Sequence, residues 1–110
     1  MQNTIIKILQ VVLLTILIFS QFSNAQQFGK LRGVVTDSTN GEALAYCNVF
    51  VKELNTGASS NERGLFIIKS IPAKKNYTIL VSYVGYDTKI FTAFIEVDKI
   101  TDVEIKLKHL

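Results

Sequence analysis

The sequence predicts an all-β sandwich or barrel that follows an apolar N-terminal leader. Short runs of residues alternate between apolar and polar side chains, which is the period of a half-buried strand. Turn-forming residues separate these runs about every 8–12 residues, as in sandwiches and barrels. No amphipathic helical pattern occurs after residue 25. We therefore expect the folded module to be built from strands.

The leader, residues 1–25, has the pattern of a cleavable secretory signal peptide. Its one cation, Lys7, precedes an apolar stretch over residues 8–19, and a polar segment ends at Ser23-Asn24-Ala25. Small residues at Ser23 and Ala25 suit signal peptidase, so cleavage is predicted between Ala25 and Gln26. An uncleaved anchor is the alternative, but a spanning helix needs about 20 apolar residues. We expect an exported protein whose mature chain does not span a membrane.

Seven strands are predicted after the leader. The clearest is 103–108, in which Val103, Ile105 and Leu107 share one face and charged residues share the other. The strand at 77–83 carries Leu80 on an otherwise polar face, which predicts a central strand that is covered on both sides. The other predicted strands are 31–36, 48–52, 56–60 as a short edge, 65–69 and 89–97.

The segments between these strands have turn chemistry. Residues 37–42 contain Asn40-Gly41, a pair that tolerates positive φ. Residues 61–64 predict a hairpin with Gly64 in the left-handed conformation. Pro72 is expected to begin a loop, because proline cannot donate to a ladder. Gly85 is expected at a bulge or sharp bend.

Composition limits both the fold and the partners. The chain after the leader is long enough for one domain, residues 26–110, of modest stability. Cys47 is the only cysteine, so no disulfide can staple this domain. The formal net charge is +3, but the cations are scattered and only Lys74-Lys75 are adjacent. A nucleic-acid site would need a basic stripe with interleaved aromatics, so no nucleic-acid partner is expected.

An ordered set of motifs resembles the carboxypeptidase regulatory-like domain. Each motif alone is weak, but together they cover nearly all of residues 29–108 and their order is specific. They are Leu31-Arg32-Gly33-Val34-Val35-Thr36-Asp37, Gly41-Glu42-Ala43-Leu44, Asn48-Val49-Phe50-Val51-Lys52, Thr56-Gly57, Gly64-Leu65-Phe66, Ile71-Pro72-Ala73, and Val81-Ser82-Tyr83-Val84-Gly85-Tyr86.

The resemblance implies a seven-stranded, prealbumin-like (Ig-like) β-sandwich without enzymatic activity. Such domains occur at the N-terminus of TonB-dependent outer-membrane receptors, including glycan importers, and beside carboxypeptidases and surface proteins. The implied location is the periplasm or the outer membrane, and the implied partner is an outer-membrane receptor or its periplasmic partners. No cofactor and no metal is implied.

The sequence departs from this family at two pairs of residues and at its end. Tyr46-Cys47 stand where the family usually has a small Gly-Ala pair, so a bulkier inward residue is expected there. Glu53-Leu54 replace a common Gly-Thr pair. The sequence stops at Leu110 without a receptor barrel, which leads us to expect a stand-alone module or a receptor fragment.

Two residues are candidates for catalytic groups. His109 is the only histidine and is the second-last residue, where fraying should prevent the positioning that a general base needs. Cys47 could be a reactive thiol or could pair with another chain, but a free cysteine beside an apolar run is more often a small buried hydrophobe. Neither residue has the partners of a zinc site. We therefore predict no catalytic, cofactor or metal residues.

Acidic and aromatic residues offer two further candidates. Asp37, Glu42, Asn61 and Glu62 suggest a calcium loop, but their spacing does not follow the EF-hand pattern and turn formation explains them better. A sugar-stacking platform would draw on strand aromatics, which more often belong to the core or to cross-strand pairs. The residues of this candidate platform are Tyr77, Tyr83, Tyr86, Phe91 and Phe94.

Three functions therefore compete. The first is a non-enzymatic accessory or interaction domain linked to TonB-dependent nutrient uptake, whose edge strands accept a partner strand. The second is a carbohydrate- or peptide-binding module of the envelope that acts alone. The third is a hydrolase of transthyretin-like fold, which the sequence disfavours because residues 106–110 lack the C-terminal Tyr-Arg-Gly-Ser motif of that family.

Overall fold

A computed structural model describes residues 2–21 and 25–110 of the chain. The first element is helix α1 (Gln2–Gln21). Within the described residues, no helix combines the length and the hydropathy that a membrane crossing requires. Ser23 and Asn24 of the predicted cleavage site lie outside the described residues, so the signal peptide stays a prediction.

The seven predicted strands are confirmed, with boundaries that differ by one to three residues at most ends. A single 3-10 turn, Lys52–Leu54, follows the second strand. The strands are β1 (Phe28–Asp37), β2 (Asn48–Val51), β3 (Thr56–Ser59), β4 (Leu65–Pro72), β5 (Lys75–Ser82), β6 (Lys89–Ile95) and β7 (Ile100–Leu107).

The strands form two sheets, which confirms the predicted sandwich. One sheet has three strands in the order β4-β1-β7, and the other has four in the order β3-β2-β5-β6. All pairs are antiparallel except β1 and β7, which run parallel over residues 30–37 and 100–107. The first and last strands of the sandwich therefore hold the three-stranded sheet together.

The core lies between the sheets and follows the alternation of the sequence. Val103, Ile105 and Leu107 point inward as predicted, and Ile105 and Leu107 are completely buried. Burial of such side chains is the main favourable term in folding, and here no disulfide assists it. The other fully buried large side chains are Leu31, Val35, Val49, Val51, Ile71, Ile79, Val81 and Ile95.

The turn predictions are mostly confirmed, with two corrections. Gly64 (φ +75°) and Gly85 (φ +89°) have the left-handed backbone that glycine favours. Residues 61–64 do form a tight turn, but the hairpin interpretation is wrong because this turn joins β3 of one sheet to β4 of the other. Pro72 is the last residue of β4 rather than the first of a loop, which an edge strand tolerates.

Glu53, one of the departures from the family pattern, completes the β5 ladder. β2 ends opposite Ile79, so the preceding part of β5 has no strand on that side. The backbone N–H of Thr78 donates instead to both carboxylate oxygens of Glu53, at 2.9 and 2.8 Å. Hydrogen bonds from Thr78 hold the pKa of Glu53 below its ordinary value.

Candidate functional site

The most connected polar group in the sandwich is the carboxylate of Asp37, at the end of β1. The Tyr86 hydroxyl donates to one of its oxygens at 2.6 Å, and the backbone N–H of Thr39 donates to the other at 2.7 Å. The hydrogen bond from Tyr86 is the main reason that the pKa of Asp37 is lowered. The same bond raises the pKa of Tyr86 to about 12. This pair joins the first turn of the module to the segment after β5.

His109 is held in place by this region, contrary to the expectation that the end of the chain frays. It bridges Tyr86 in an antiparallel pair, and the two rings meet edge to face with centroids 4.8 Å apart. The N–H of Asp87 donates to the Lys108 carbonyl, and the N–H of Leu110 donates to the Gly85 carbonyl. The Nδ1 atom of His109 lies 2.8 Å from the backbone oxygen of Leu110, and the nearby Asp37 carboxylate already accepts the Tyr86 hydroxyl, so this arrangement acts as a structural clamp.

Cys47 is completely buried, which supports its interpretation as a small hydrophobe. Burial raises the pKa of its thiol, and so disfavours the reactive thiolate. Its backbone N–H donates at 2.9 Å to the hydroxyl of Ser60, which in turn donates at 2.7 Å to the Leu44 carbonyl. Ser60 is therefore a buried polar link between two loops at one end of the sandwich.

Tyr46 turns out to be an outward residue, so only Cys47 of this pair is the bulkier inward residue expected from the sequence. The Tyr46 side chain is 64% exposed, and its backbone has φ +63°. A left-handed conformation is costly for any residue with a Cβ, which explains why glycine is common here in the family that the sequence resembles. Tyr46 borders a depression of about 310 Å³ together with Asn48, Ser82 and Tyr83.

The acidic residues considered for calcium serve as turn residues. Asp37 accepts N–H bonds within its own turn, and the Asn61 side chain accepts the N–H groups of Arg63 and Leu65. Glu62 accepts a 3.4 Å bond from the Tyr46 hydroxyl. Among the described residues, no group of three or more His, Cys, Asp or Glu side chains converges on a point that could hold a metal ion.

The candidate aromatic platform, which the sequence disfavours, is not assembled. Tyr77 is buried and donates to the Pro72 carbonyl, while Phe91 packs against the core. Tyr83 and Tyr86 form a tilted pair with centroids 5.5 Å apart, and both are partly buried. Only Phe94 is exposed, on the outer side of β6. Four of these five side chains thus pack in or against the core, and Phe94 alone among them faces outward.

A different apolar surface emerges on the outer side of the four-stranded sheet. Phe50, Leu80 and Ile90 stand directly beside one another on β2, β5 and β6. Ile90 is 63% exposed and Phe50 is 37% exposed. The prediction that this strand is covered on both sides is therefore wrong at Leu80, which its neighbours bury only partly. We call this surface the neutral face; its residues are Asn48, Phe50, Asn76, Thr78, Leu80, Ser82, Ile90, Thr92 and Phe94.

The neutral face contrasts with the outer side of the three-stranded sheet. That opposite side exposes Leu65 and Ile67 of β4 but also carries charged residues, and Arg32 forms a two-pronged ion pair with Asp102 at 2.6 and 3.0 Å. The neutral face carries no charged side chain on its outward positions in β2, β5 and β6. Contiguous exposed apolar surface rimmed by polar residues marks interaction sites in soluble proteins. The neutral face is therefore the candidate functional site.

The neutral face also contains a shallow depression. Phe50 and Leu80, with Asn48, Ser82 and Thr88, line a shallow depression of about 640 Å³ against β3. Sequence reasoning missed Phe50 and Ile90 as surface residues. The signal was present, since strict alternation places Phe50 between the inward Val49 and Val51.

The fold and the candidate site define a small β-sandwich with an exposed, uncharged apolar surface on its four-stranded sheet. The family profile of the CarboxypepD_reg-like domain matches residues 31–110. The chain belongs to this family, as its motifs predicted. No curated protein matches the chain significantly.

Solved structures share the fold at low sequence identity. The Bacillus anthracis TIE protein has a TM-score of 0.65 at 14% identity, over 76% of this chain and 17% of that chain. A protein from Bacteroides fragilis, described as membrane-associated and of unknown function, has a TM-score of 0.59 at 19% identity, over 78% and 29% of the two chains. A type II cohesin-X-dockerin complex from Acetivibrio cellulolyticus has a TM-score of 0.56 at 19% identity, over 70% of this chain and 52% of that chain. The chain thus spans about half or less of each of these structures.

Proposed function

We propose that this protein is an exported, non-enzymatic interaction module of the cell envelope that docks onto a partner protein through the neutral face. The observation that carries the proposal is the exposed row of Phe50, Leu80 and Ile90 on a face without charge. Solvated faces of sheets usually carry polar residues at most outward positions. An apolar row that the described chain does not cover is best explained by a partner that covers it.

The proposed location is the periplasm or the periplasmic side of the outer membrane. The signal-peptide pattern of residues 1–25 supports export. Membership of the CarboxypepD_reg-like family supports an accessory role beside a TonB-dependent receptor for nutrients such as glycans, since domains of this kind occur there. The fold similarity to a Bacteroides fragilis protein described as membrane-associated agrees with an envelope location.

Site-specific photo-cross-linking in cells that express the full chain tests this proposal. A photoreactive residue replaces Phe50 on the neutral face or, as the matched control, Lys106 on the charged side of the opposite sheet. We expect an envelope protein to be captured from position 50 and not from position 106. Fractionation and N-terminal sequencing should find the protein in the periplasm or outer membrane with Gln26 first. Equal capture at both positions, or a cytoplasmic protein, would contradict the proposal.

A second candidate function, a carbohydrate-binding module that acts alone, is favoured by one observation. The exposed Tyr46 and the partly buried Tyr83 border the same depression as Asn48 and Ser82, which pairs aromatic rings with neutral hydrogen-bonding groups. Tyr46→Ala should then abolish retention on a glycan column while the fold persists. Tyr86→Ala is a poor test, because it also removes the hydrogen bond to Asp37. Retention that is unchanged by Tyr46→Ala, or absent in the unmodified protein, would exclude this function.

A further inference from the structure

The free edge of β6 exposes backbone groups that can be identified residue by residue. β6 is the last strand of its sheet and pairs only with β5. Thr92 lies opposite Thr78, whose N–H points to Glu53 on the other side of β5. Opposed residues of an antiparallel pair alternate between bonded and non-bonded pairs. Thr92 and, two residues away, Ile90 and Phe94 therefore direct their backbone N–H and C=O groups away from β5.

The opposite end of the strand confirms this assignment. The Phe94 carbonyl accepts a bond from the Thr101 hydroxyl, which lies on β7 and not on β5, at 3.2 Å. In the part of the chain that the structure describes, this hydroxyl is the one group that bonds to the free edge of β6. The edge groups of Ile90 and Thr92 remain available. Their side chains belong to the neutral face, so the open edge and the apolar surface are continuous.

The other three edges of the sandwich are protected, which makes β6 exceptional. β3 is only four residues long. β4 ends in Pro72, has a left-handed residue at Ser70, and has both backbone groups of Leu65 bonded to Asn61. β7 carries a charged residue at every second position along its outward side, at 102, 104 and 106. Short strands, proline, irregularities and charge are the ways in which proteins block edge pairing. Between Ile90 and Phe94, β6 has none of these protective features.

We infer that β6 accepts an extended segment of a partner protein as an added antiparallel strand, with apolar side chains at alternate positions and acidic residues at its ends. This inference rests on the proposed function and specifies the chemistry of the partner. Backbone bonds to Ile90 and Thr92 provide the attachment, as in other cases of strand addition. The alternate apolar side chains extend the row of Phe50, Leu80 and Ile90 by one strand.

The acidic ends follow from the charges around β6. Lys89 begins the strand, and Lys74 and Lys75 lie beside its other end, opposite Ile95. Acidic residues also occur near both ends, Asp87 before Lys89 and Glu96 and Asp98 after Ile95, and of these Glu96 is paired with Lys99 at 3.5 Å. An antiparallel second copy would place Lys89 near Lys74 and Lys75 of its neighbour, which is repulsive. A partner strand with acidic ends meets cations at both ends instead.

A synthetic heptapeptide, Glu-Val-Thr-Val-Thr-Val-Glu with blocked termini, provides the probe. It is titrated into the isotope-labelled protein, isolated from cells that express the full chain, and followed by NMR. We expect shifts and slowed hydrogen exchange at the amides of Ile90 and Thr92. The same peptide with Lys at both ends should bind several-fold more weakly. Equal binding of the two peptides would overturn the charge assignment.

Two matched pairs test the strand geometry. Thr92→Pro removes an N–H that faces the open edge and no bond to β5, so it should fold, whereas Thr92→Val keeps that N–H. We expect Thr92→Pro to weaken binding about tenfold or more, and Thr92→Val to leave it unchanged. With the unaltered protein, N-methylation of the three Val residues should abolish binding, while N-methylation of the two Thr residues should not, because only the Val amides would face β6.

Several outcomes would overturn the inference. The first is peptide binding that survives Thr92→Pro or N-methylation of the Val residues. The second is NMR shifts that are confined to β7. The third is a concentration-dependent dimer that Thr92→Pro disrupts. The last result would place a second copy on β6. If the peptide does not bind but the cross-link from position 50 still forms, strand addition fails and the proposed function stands. If the cross-link is also absent, docking through the neutral face is itself wrong.

Discussion

Replacing Ser60 with alanine should destabilise the sandwich by about 1–3 kcal/mol. The hydroxyl of Ser60 accepts the buried N–H of Cys47 at 2.9 Å and donates to the Leu44 carbonyl at 2.7 Å. Alanine leaves that N–H without an acceptor, and a buried unsatisfied donor costs about 1–3 kcal/mol. The Leu44 carbonyl keeps only a long contact with the Cys47 sulfur, at 3.6 Å. The loss of folding stability caused by Ser60→Ala should therefore exceed that of a typical substitution at an exposed position.

Urea and thermal unfolding of the two neighbouring serine variants measure this effect. Ser59 is exposed at the end of β3, so Ser59→Ala is a matched control that should change stability by less than about 0.5 kcal/mol. For Ser60→Ala, the midpoint of thermal unfolding should fall by roughly 4–8 °C for each kcal/mol lost. The urea m-value should not change, because the surface that unfolding exposes is the same. If Ser60→Ala matches Ser59→Ala, the buried link does not stabilise this fold.

Three further predictions concern the same end of the sandwich. Tyr46→Gly should be more stable than Tyr46→Ala by about 1 kcal/mol in urea unfolding, because only glycine relieves the positive φ. The stability of the unmodified protein should fall as pH drops through the lowered pKa of Asp37, and again as pH rises from 10.0 to about 12 through that of Tyr86. Tyr86→Phe should reduce both losses, as unfolding over this pH range would show, and the remaining alkaline loss includes that of Tyr77, whose pKa is raised by burial. Cys47 should react with a thiol reagent only as fast as the protein opens.

Much of the fold could be predicted because strand formation here follows local alternation. Each inward side chain of β7 was evident from its spacing, and Gly64 and Gly85 marked turns through their backbone freedom. Pairing between distant strands could not be read in this way. The parallel contact of β1 with β7 and the assignment of β3 and β4 to different sheets depend on contacts far apart in sequence.

The candidate site was harder to predict, because its residues are defined by the side of the sheet that they occupy. Leu80 was noticed as an apolar residue on a polar face, but its neighbours Phe50 and Ile90 become a row only once the register is known. The fraying expected at His109 was wrong for a related reason. The local rule about chain ends was overridden by backbone bonds to residues 85–87 and by the contact with Tyr86.

The features that stabilise this sandwich and those proposed to bind a partner belong to opposite faces of the same strands. On β6, Ala93 and Ile95 are buried in the core, while Ile90, Thr92 and Phe94 face outward. A sandwich of this size without a disulfide has little stability to spare, and an open strand edge invites aggregation. An added partner strand would satisfy the open backbone groups and cover the neutral face together. Substitutions at Ile90 and Phe94 can therefore change binding without removing the contacts that hold the fold.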